Sequence, residues 1–442
     1  MRVLIIEVEG EATGLGIALK ARDWGHDVKY WLPPSRQELT FGEGLVDRPR
    51  DWEPLMDSAD LVIVNGNSRY ANKLESYFES GYPIFGANAR SAALELDRAL
   101  GQQVLESVGV QVLPYVTVED LNDAIEYVTA SKEPVVIKPW GGEGDKSLTC
   151  VASSPEEAIF QLERWRDQGL NSKLMLQKKA DGVEIGIAGW FSPQSGWLRM
   201  VEESWEHKRF LNDDLGQNTG EQGTVLRHVQ ESLLFDRVLK PLTDYLYQIG
   251  YVGDCSVNCI VDSDGVPWPL EFTSRLGWPD FNIRQEVIDH DPVEWMSAML
   301  AGRDEFNPRP DIAVGVVMTH GDYPISNDPH EKWSGFPIHF DEESANHIHW
   351  QMVRMGMEPV IDDDGNLRHR RCLTTAGTYV AIATGSGSTV ESAIMGAYAV
   401  TGGVKWPSNR MYRTDVGKKL QYELPLLQSL GYARGMSYSD NG

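Results

Sequence analysis

The sequence predicts an α/β protein of several domains, in which a parallel sheet comes first, a larger mixed region follows and a β-rich part ends the chain. Residues 1–90 alternate short apolar strands with helices, the pattern of a parallel sheet whose loops gather at the carboxyl ends of its strands. After a linker at 302–310, the segment from Ile312 onward is rich in strand signals and includes a helix at 389–400. A length of 442 residues allows about two to four domains.

Composition and charge argue against several classes of protein. The formal net charge of −25 would repel phosphate backbones, so we expect no nucleic-acid partner and no anionic membrane partner. No apolar run reaches the roughly 18 to 20 residues of a membrane helix, and the N-terminal residues enter a strand without a secretion signal. The four cysteines have no metal-type spacing except Cys255 and Cys259, which alternate in a predicted core strand. We therefore expect reduced thiols in a cytoplasmic protein.

The stretch 270–280 brings an acid and an arginine to the end of a strand. Glu271 follows an apolar strand, and Arg275 comes four residues later, before a Gly/Pro turn. Residues 258–271 read as a hairpin with an Asp-Ser-Asp-Gly turn, which places Asn258 beside Glu271 on adjacent strands. Their oxygen atoms could share a hard cation. An ordinary sheet edge with a surface salt bridge is the alternative.

A lysine near a strand end, followed by a glycine-rich loop, predicts a polyphosphate site. Lys138 lies near the end of the buried strand 134–139, and the loop 141–147 supplies a second lysine, Lys146. A hairpin with exposed lysines would explain the same residues without a ligand. Further on, the connector in 177–184 could offer backbone groups to a purine edge and the Glu184 carboxylate to a ribose hydroxyl.

The first glycine-rich loop, residues 9–16, carries opposing signals. A loop that opens a helix could hold a phosphate at the helix N-terminus. Glu7, Glu9 and Glu11 load this loop with negative charge, which opposes a phosphate and favours a cation or an amine. A plain strand–helix turn is a further explanation.

Two helices and a long polar loop complete the expected elements. We expect helices at 92–107 and 233–248. The segment 203–223 is polar and punctuated by glycine, and a loop of this length inside a compact chain is usually functional or disordered.

Taken in this order, the motifs resemble those of the phosphoribosylamine–glycine ligases, ATP-grasp enzymes of purine biosynthesis, over residues 2 to about 420. The motifs are Phe85-Gly86, Asp97-Arg98, Val136-Ile137-Lys138, Asp181-Gly182-Val183-Glu184, His207-Lys208-Arg209, Gly216-Gln217-Asn218-Thr219-Gly220, Leu270-Glu271-Phe272, Ala313-Val314-Gly315-Val316-Val317 and Thr375-Ala376-Gly377-Thr378. The resemblance implies an N-terminal parallel α/β domain (1–90), an ATP-grasp domain (91–310) with a lid subdomain at about 112–185, a β-rich C-terminal domain (311–425) and a tail (426–442).

The resemblance also implies a reaction and the residues that serve it. In this family the γ-phosphoryl group of ATP passes to a carboxylate, and an amine attacks the acyl phosphate to give an amide, ADP and phosphate. The implied substrates are glycine or another amino acid and an amine acceptor, the implied cofactors are ATP and Mg²⁺ with Mn²⁺ as a substitute, and the protein is expected to be a cytoplasmic monomer or homodimer. The implied nucleotide-binding residues are Arg98, Lys138, Lys146, Gln177, Lys179, Ala180, Glu184 and Asn218. The implied metal ligands are Glu271, Asn258 and Thr273, and the implied catalytic residues are Arg275, Arg209 and Lys208.

Several positions depart from the family's motifs. Residues 9–14 replace a Gly-Gly-Arg-Glu loop whose arginine and amides meet the phosphate of phosphoribosylamine. Residues 65–67 replace Gly-Pro-Glu, although Arg69 nearby could supply a positive charge. Thr273 stands where the family has an asparagine as second magnesium ligand, and Asp280 replaces a glutamate. The residues expected to bind ATP therefore match the family's motifs better than those expected to bind the amine acceptor. The identity of the amine stays open.

Two other functions stay open at this point. A nucleotide-binding sensor without turnover would account for Thr273 and for Asn258, because both replace stronger magnesium ligands. A dehydrogenase built on residues 1–90 is weaker, because the loop lacks a full Gly-x-Gly-x-x-Gly pattern. In addition, Leu32 stands where that class has a ribose-binding acid.

Overall fold

The computed structural model of the chain describes residues 1–8, 13–36, 38–67, 71–139, 149–170, 172–325 and 331–440. Within these ranges the strands form a four-stranded parallel sheet, a four-stranded antiparallel sheet, a ten-stranded sheet and a two-stranded hairpin. The predicted mixed α/β class is thereby confirmed. No helix in the same ranges is long and apolar enough to cross a membrane.

The N-terminal sheet is parallel, as predicted. Its elements are β1 (Arg2–Glu7), α1 (Leu15–Asp23), β2 (Asp27–Trp31), β3 (Leu61–Asn65), α2 (Ala71–Glu79) and β4 (Ile84–Phe85), and the strand order is β2-β1-β3-β4. The strands β1 and β3 are buried almost throughout, as expected for a parallel sheet that is covered on both faces. Glu7 and Asn65 are partners in the register, so both lie at the carboxyl edge of this sheet.

The predicted helix at 92–107 is wrong as a single helix. The structure has α3 (Ala89–Leu96) and α4 (Arg98–Ser107), separated by Asp97 in an extended conformation with φ −111° and ψ 94°. The Asp97 carboxylate accepts hydrogen bonds from the amides of Ala99 and Leu100, which is the geometry of an N-cap. A capping aspartate inside an apolar periodic pattern thus starts a new helix.

A small antiparallel sheet follows, where the sequence predicts the lid subdomain. Its elements are β5 (Tyr115–Val118), α5 (Leu121–Ser131), β6 (Val135–Pro139), β7 (Cys150–Val151), α6 (Pro155–Asp167) and β8 (Leu174–Lys178), with strand order β5-β8-β6-β7. The two helices pack on the sheet through an apolar cluster of their own, which includes Val128, Ile137, Leu162 and Leu176.

The large sheet runs through the rest of the chain. The remaining strands are β9 (Val183–Ser192), β10 (Gly196–Trp197), β11 (Val201–Glu206), β12 (Gly223–Val229), β13 (Gly253–Val261), β14 (Pro267–Thr273), β15 (Ile312–His320), β16 (Ile348–Trp350), β17 (Val353–Ile361), β18 (Leu367–Thr375), β19 (Tyr379–Gly387) and β20 (Arg410–Met411). The sheet order is β14-β13-β9-β11-β12-β15-β19-β16, while β17 and β18 form the separate hairpin. Because β15 pairs with β12, the sheet is continuous across residue 310. The domain division at that residue stays a prediction.

The strands β9, β11 and β13 alternate strictly between two faces. One face is apolar and belongs to a buried core, with Ile185, Ile187, Trp205 and Val257 among its residues. The opposite face of the same strands and of β14 is polar and carries Glu184, Glu206, Asn258 and Glu271. We call this second surface the polar face of the large sheet.

The remaining helices are α7 (Thr243–Ile249), α8 (Asp280–Arg284), α9 (Pro292–Leu300), α10 (Val390–Gly403) and α11 (Leu420–Ser429). The predicted continuous helix at 233–248 is wrong, because a π-helical turn (Phe235–Leu239) and a 3-10 turn (Lys240–Leu242) precede α7. Pro241 lacks a backbone N–H and crowds the preceding turn, which explains the break. After α11, the side chains of Tyr432 and Met436 are buried in the core beneath β13.

Candidate functional site

The β13–β14 hairpin places the predicted pair side by side on the polar face. Asn258 and Glu271 are partners in the antiparallel register. Asn258 Nδ2 donates to both carboxylate oxygens of Glu206 on β11, each at 3.1 Å. Asn258 Oδ1 is buried and has no hydrogen-bond partner among the described residues. An unsatisfied oxygen beside two carboxylates fits a hard cation better than it fits a plain sheet edge.

Gly186 on β9 makes this approach between β13 and β11 possible. A Cβ atom at position 186 would lie 2.4 Å from Ser204 Oγ and 2.8 Å from Asn258 Oδ1. Any larger residue would therefore push Asn258 away from the polar face.

Arg98 approaches Glu271 from the start of α4. Its Nη2 atom lies 3.4 Å from Glu271 Oε2, and the side chain of Arg98 is largely buried. Since the Asp97 cap fixes the first turn of α4, it also fixes where the Arg98 side chain begins.

Lys138 crosses from the small sheet to the large one. Its Nζ donates to Gln177 Oε1 at 2.9 Å and to the backbone oxygen of Leu270 at 3.2 Å. Burial lowers the pKa of Lys138 to about 8, although the Glu271 carboxylate opposes that shift. An ammonium has three N–H donors, so the described contacts of Lys138 leave one for an anionic ligand.

Lys208 lies between two carboxylates. Its Nζ is 3.0 Å from Glu206 Oε2 and 3.3 Å from Glu184 Oε1. Burial disfavours the charge on Lys208, but the neighbouring carboxylates, Glu206 first, overcome this effect and raise its pKa well above the usual value. Lys208 is therefore a fixed positive charge at the edge of the polar face.

The connector between β8 and β9 lies beside these charges. Gln177 is buried at the end of β8, and its Nε2 has no hydrogen-bond partner among the described residues. Lys179 and Ala180 follow on the half-exposed connector, and Glu184 opens the next strand with its side chain 34% exposed. The predicted purine-binding segment is thus accessible and contiguous with the Lys138 contact.

Arg209 and Asn218 face each other across an ordered loop. They form an isolated antiparallel bridge, which the hydrogen bond from the Thr219 amide to the Lys208 carbonyl oxygen (2.9 Å) extends. Both side chains are exposed, and no described contact joins either of them to Glu271. Of the predicted polar segment 203–223, residues 203–206 belong to β11, and the loop that remains lies between β11 and β12.

The described ion-pair partner of Arg275 is Glu95, a residue of α3. Its Nε lies 3.1 Å from Glu95 Oε1. The other oxygen of Glu95 accepts from the Ser274 amide at 3.0 Å and from Asn67 Nδ2 at 2.6 Å. These contacts connect the end of the β13–β14 hairpin to the loop that follows β3.

The structure adds little support for two of the predicted site residues, Thr273 and Lys146. Thr273 lies on the same face of β14 as Glu271, opposite Ser256. Lys146 and the loop 141–147 lie outside the described residues. Within the described ranges, no group of three His, Cys, Asp or Glu side chains is arranged to hold a metal. A cation at Glu271 and Asn258 would therefore take further oxygen ligands from a bound substrate.

Sequence reasoning gave no role to Glu206 or Glu221, which lie close to Asp280. Burial, and then the Glu206 carboxylate, raise the pKa of Glu221 well above its usual value. Burial, followed by the carboxylates of Glu202 and Glu206, does the same to Asp280. From the sequence, only the alternation of Glu206 with Lys208 at the end of a strand could have indicated a role for these residues. Their other contacts join residues that are distant in sequence.

A buried ion-pair network centred on Arg284 lies beside these residues. Arg284 Nε and Nη2 lie 2.6 Å and 2.9 Å from the two oxygens of Glu202, and Nη1 bonds to Asp254. The Arg284 guanidinium also lies over the Trp190 ring, 4.7 Å from its centre. These contacts hold α8, and with it Asp280, against the large sheet.

At the carboxyl edge of the parallel sheet, the buried side chain of Glu7 accepts several hydrogen bonds. Glu7 Oε2 accepts hydrogen bonds from the Gly14 amide at 2.7 Å, from Asn65 Nδ2 at 3.0 Å and from the Tyr30 hydroxyl at 3.2 Å. Asn65 Nδ2 also donates to Thr13 Oγ1 at 2.8 Å. The carboxylate that was predicted to repel phosphate thus lies at the beginning of α1.

Comparisons with known proteins agree with this arrangement. Residues 97–281 match the family model described as phosphoribosylglycinamide synthetase, ATP-grasp (A) domain. A phosphoribosylamine–glycine ligase of Vibrio cholerae is 26% identical over 392 residues, covering 85% of this chain and 86% of that protein. One from Vibrio vulnificus is 24% identical over 369 residues, covering 78% and 79%. The crystal structure of the Thermotoga maritima phosphoribosylamine–glycine ligase aligns with a TM-score of 0.69 at 21% identity, covering 94% of this chain and all of that one.

The small sheet facing the polar face of the large sheet, together with the match over 97–281, defines an ATP-grasp protein. Proteins of this class generally use ATP and Mg²⁺. Within it, the chain is similar to the phosphoribosylamine–glycine ligases, and it is an ATP-dependent enzyme of the kind that forms C–N bonds. The predicted resemblance, fold class and enzyme class are confirmed.

Proposed function

We propose that the chain is a carboxylate–amine ligase that uses Mg·ATP to join glycine, or another amino acid, to an amine through an acyl phosphate. The observation that supports this is the meeting of three cations and three carboxylates where the small sheet faces the large one. The six residues are Arg98, Lys138, Lys208, Glu184, Glu206 and Glu271. Such a site needs little covalent chemistry from the protein, because positioning and charge neutralisation supply most of the rate.

The nucleotide would lie between the two sheets. Lys138 and Arg98 would neutralise its phosphates, with Lys146 as a predicted third cation. The unsatisfied Nε2 of Gln177 and the backbone of Lys179 and Ala180 would meet the adenine edge, and Glu184 would accept from the ribose. Asn218 stays a predicted contributor from the ordered loop.

The oxygen atoms of the hairpin fit a magnesium ion, as the orphaned Asn258 Oδ1 indicates. Glu271 and Asn258 would hold the ion, and Glu206 is placed to contribute as well. Thr273 stays a weaker predicted ligand. When bound, the ion neutralises charge on the phosphates of ATP. Mn²⁺ would serve in its place, since it takes similar oxygen ligands.

The proposed reaction consists of a phosphoryl transfer followed by an acyl transfer. A substrate carboxylate oxygen attacks the γ-phosphorus, and ADP leaves. The amine nitrogen attacks the resulting acyl carbon, inorganic phosphate leaves, and the nitrogen loses a proton. Lys208 stays charged throughout because of its carboxylate neighbours and would hold the transferred phosphoryl group. Arg275 and Arg209 would hold the substrate carboxylate or the acyl phosphate.

Hydroxylamine offers a direct test, because it traps an acyl phosphate as a hydroxamate without needing the acceptor site. With Mg·ATP, we expect hydroxamate and ADP to form only when glycine or another amino acid is present. The competing sensor function predicts nucleotide binding by calorimetry with no hydroxamate from any amino acid. That result would overturn the proposed ligase.

The proposal includes small-molecule substrates only, a cytoplasmic location and a monomer or homodimer. Light scattering on the purified protein would measure the last of these. A larger assembly would contradict that part of the proposal without affecting the chemistry.

A further inference from the structure

The loop that carries Lys208 has an unusual backbone at its tip. We call residues 207–222, which connect β11 to β12, the Lys208 loop. Leu211 has φ 69° and ψ 155°, a conformation that residues with a side chain rarely adopt, and φ is also positive at Asp213 and Asp214. The Leu211 side chain is exposed, so its own burial does not explain this conformation. Contacts with another part of the chain must therefore hold the tip in place.

Arg413, in the segment between β20 and α11, makes the central contact with this tip. Its side chain is buried, with the residue 3% exposed. Its Nη1 donates to the backbone oxygen of Arg209 at 2.9 Å and to Asp214 Oδ1 at 2.5 Å. Its Nε and Nη2 donate to the two carboxylate oxygens of Asp415 at 2.8 Å and 2.7 Å. Because a guanidinium is planar and rigid, Arg413 fixes the distance between the loop and this segment.

The neighbours of Arg413 bind the remaining residues of the tip. Asn212 Nδ2 donates to Thr414 Oγ1 at 2.6 Å, and the Thr414 amide donates to Asn212 Oδ1 at 2.9 Å. The amide of Asp213 donates to Asp415 Oδ2 at 2.9 Å. Each of residues 212, 213 and 214 is therefore bound to one of residues 413–415.

The base of the Lys208 loop is bound by the residues that follow. The Gly417 amide donates to His207 Nε2 at 3.2 Å, and Lys419 Nζ donates to the backbone oxygen of Glu206 at 3.2 Å. Burial, followed by the Lys419 charge, lowers the pKa of His207 to about 3, so the ring is neutral and its Nε2 accepts at neutral pH. Since Lys208 comes directly after His207, these contacts fix the backbone from which the Lys208 side chain reaches the polar face.

We propose that Arg413 is a positioning residue for the ligase reaction, which acts through the Lys208 loop to hold the Lys208 ammonium where the transferred phosphoryl group would lie. The inference rests on the proposed function and adds to it a residue that would touch no substrate. Arg413 lies outside the match to the ATP-grasp family model over 97–281. A part of the chain beyond that match would thus determine the geometry of phosphoryl transfer.

The first test separates catalysis from nucleotide binding. Arg413→Met removes every donor of the guanidinium, and hydroxamate formation from glycine and Mg·ATP measures the effect. We expect kcat to fall on the order of 30- to 100-fold, because a displacement of about 1 Å near the reacting groups has effects of this size. Affinity for a non-hydrolysable ATP analogue should change less than about twofold. An unchanged kcat, or a loss of affinity as large as the loss of kcat, would overturn the inference.

Arg227→Met is the matched control. Arg227 is 8% exposed, and it also binds a carboxylate through Nε and Nη2 (Glu203 Oε2, 3.1 Å and 2.7 Å) and a backbone oxygen through Nη1 (Arg434, 3.0 Å). The two variants lose the same kinds of contact, but Arg227→Met should keep the kcat of the unmodified protein. An equal fall of kcat in both would show a general effect on stability and overturn the role given to Arg413.

Asn212→Ala tests the same arrangement without removing a buried charge, and it decides the question if Arg413→Met does not fold. It deletes the two hydrogen bonds with Thr414. We expect a fall in kcat of about fivefold with unchanged nucleotide affinity. If only this variant folds, an unchanged kcat overturns the inference.

A double variant tests whether Arg413 acts through Lys208. Lys208→Met alone should lower kcat, and adding Arg413→Met should lower it further by less than about threefold, because both changes remove the same interaction. Effects that multiply in full would show that Arg413 acts by another route, which would overturn the inference.

Hydrogen exchange observes the loop without turnover. Within the Lys208 loop, the Phe210 amide donates to the Gln217 oxygen and the Thr219 amide to the Lys208 oxygen, each at 2.9 Å. We expect both amides to exchange at least about tenfold faster in Arg413→Met than in Arg227→Met. Equal rates would overturn the positioning role.

The two proposals fail in different ways. Faster exchange in Arg413→Met together with an unchanged rate of hydroxamate formation would leave the ligase standing and overturn the positioning role. No hydroxamate from any amino acid with the unmodified protein would overturn the ligase itself, and with it the reaction in which Arg413 takes part.

Discussion

At the scale of single residues, the charge on Glu271 is the feature on which the proposed reaction depends most. Glu271→Gln keeps the shape of the side chain but removes its charge, which weakens both the magnesium site and the Arg98 contact. We expect kcat to fall on the order of 100- to 1,000-fold. Nucleotide affinity should weaken mainly when Mg²⁺ is present, as calorimetry with and without the ion would measure.

Asp264→Asn provides the control for that experiment. Asp264 lies in the exposed turn of the same hairpin, so the variant removes an equal charge away from the polar face. It should behave like the unmodified protein. Unchanged kinetics in Glu271→Gln would place the metal at other residues.

The lowered pKa of Lys138 makes a separate prediction about protons. A nucleotide phosphate favours the charged ammonium and raises its pKa, so binding takes up protons wherever the free protein has lost them. With a pKa of about 8, we expect uptake of about half a proton at pH 8 and almost none at pH 6. Nucleotide affinity should therefore decline as the pH rises above 8.

Calorimetry in two buffers of different ionisation enthalpy measures this uptake. Lys138→Met should abolish it, whereas Lys178→Met, an exposed lysine at the end of β8, should preserve it. Uptake that survives in Lys138→Met would show that another group titrates.

At the scale of elements, the break between α3 and α4 has a measurable role. Asp97→Ala removes the cap of α4, and Asp120→Ala removes the equivalent cap of α5. Each should cost about 1 kcal/mol of stability, read from the midpoint of urea unfolding. Only Asp97→Ala should also raise the KM for ATP, by about tenfold, because only α4 presents Arg98 to the site. Equal KM values in both variants would contradict this role.

Local patterns explain which elements the sequence predicts correctly. The hairpin at 258–271 was predictable, because its turn residues and alternation determine the register within one short segment. The breaks at Asp97 and Pro241 were not predicted, because periodic apolar residues continue past both positions. Capping and a missing N–H act against that pattern at a single residue.

Part of the arrangement on the polar face was predictable from sequence motifs, and the nucleotide-binding roles of these residues stay predictions. Lys138 and Glu184 belong to recognisable motifs, and the structure brings both to one cleft. The contact of Glu206 with Asn258 depends on the packing of three strands and on the absence of a side chain at Gly186. No pattern within one segment contains that information.

At the scale of the whole molecule, the continuous large sheet predicts that residues 1–310 do not fold alone. Removing β15 leaves β12 as an unprotected edge and removes Gly315, whose backbone packs against Ile283 of α8. We expect the shortened chain to aggregate, as circular dichroism and size-exclusion chromatography would measure. Shortening the exposed turn 361–367 of the β17–β18 hairpin is the control and should leave the fold intact. A monomeric, folded 1–310 fragment would instead support an independent domain boundary.

Because β12 pairs with β15, this part of the large sheet can form only after both strands have been synthesised. β12 ends at Val229 and β15 begins at Ile312, so the ribosome must add the whole intervening segment before the sheet can close. At the usual speed of translation this interval lasts on the order of ten seconds. During that time β12 keeps an open strand edge, at which the growing polypeptide can associate with other chains.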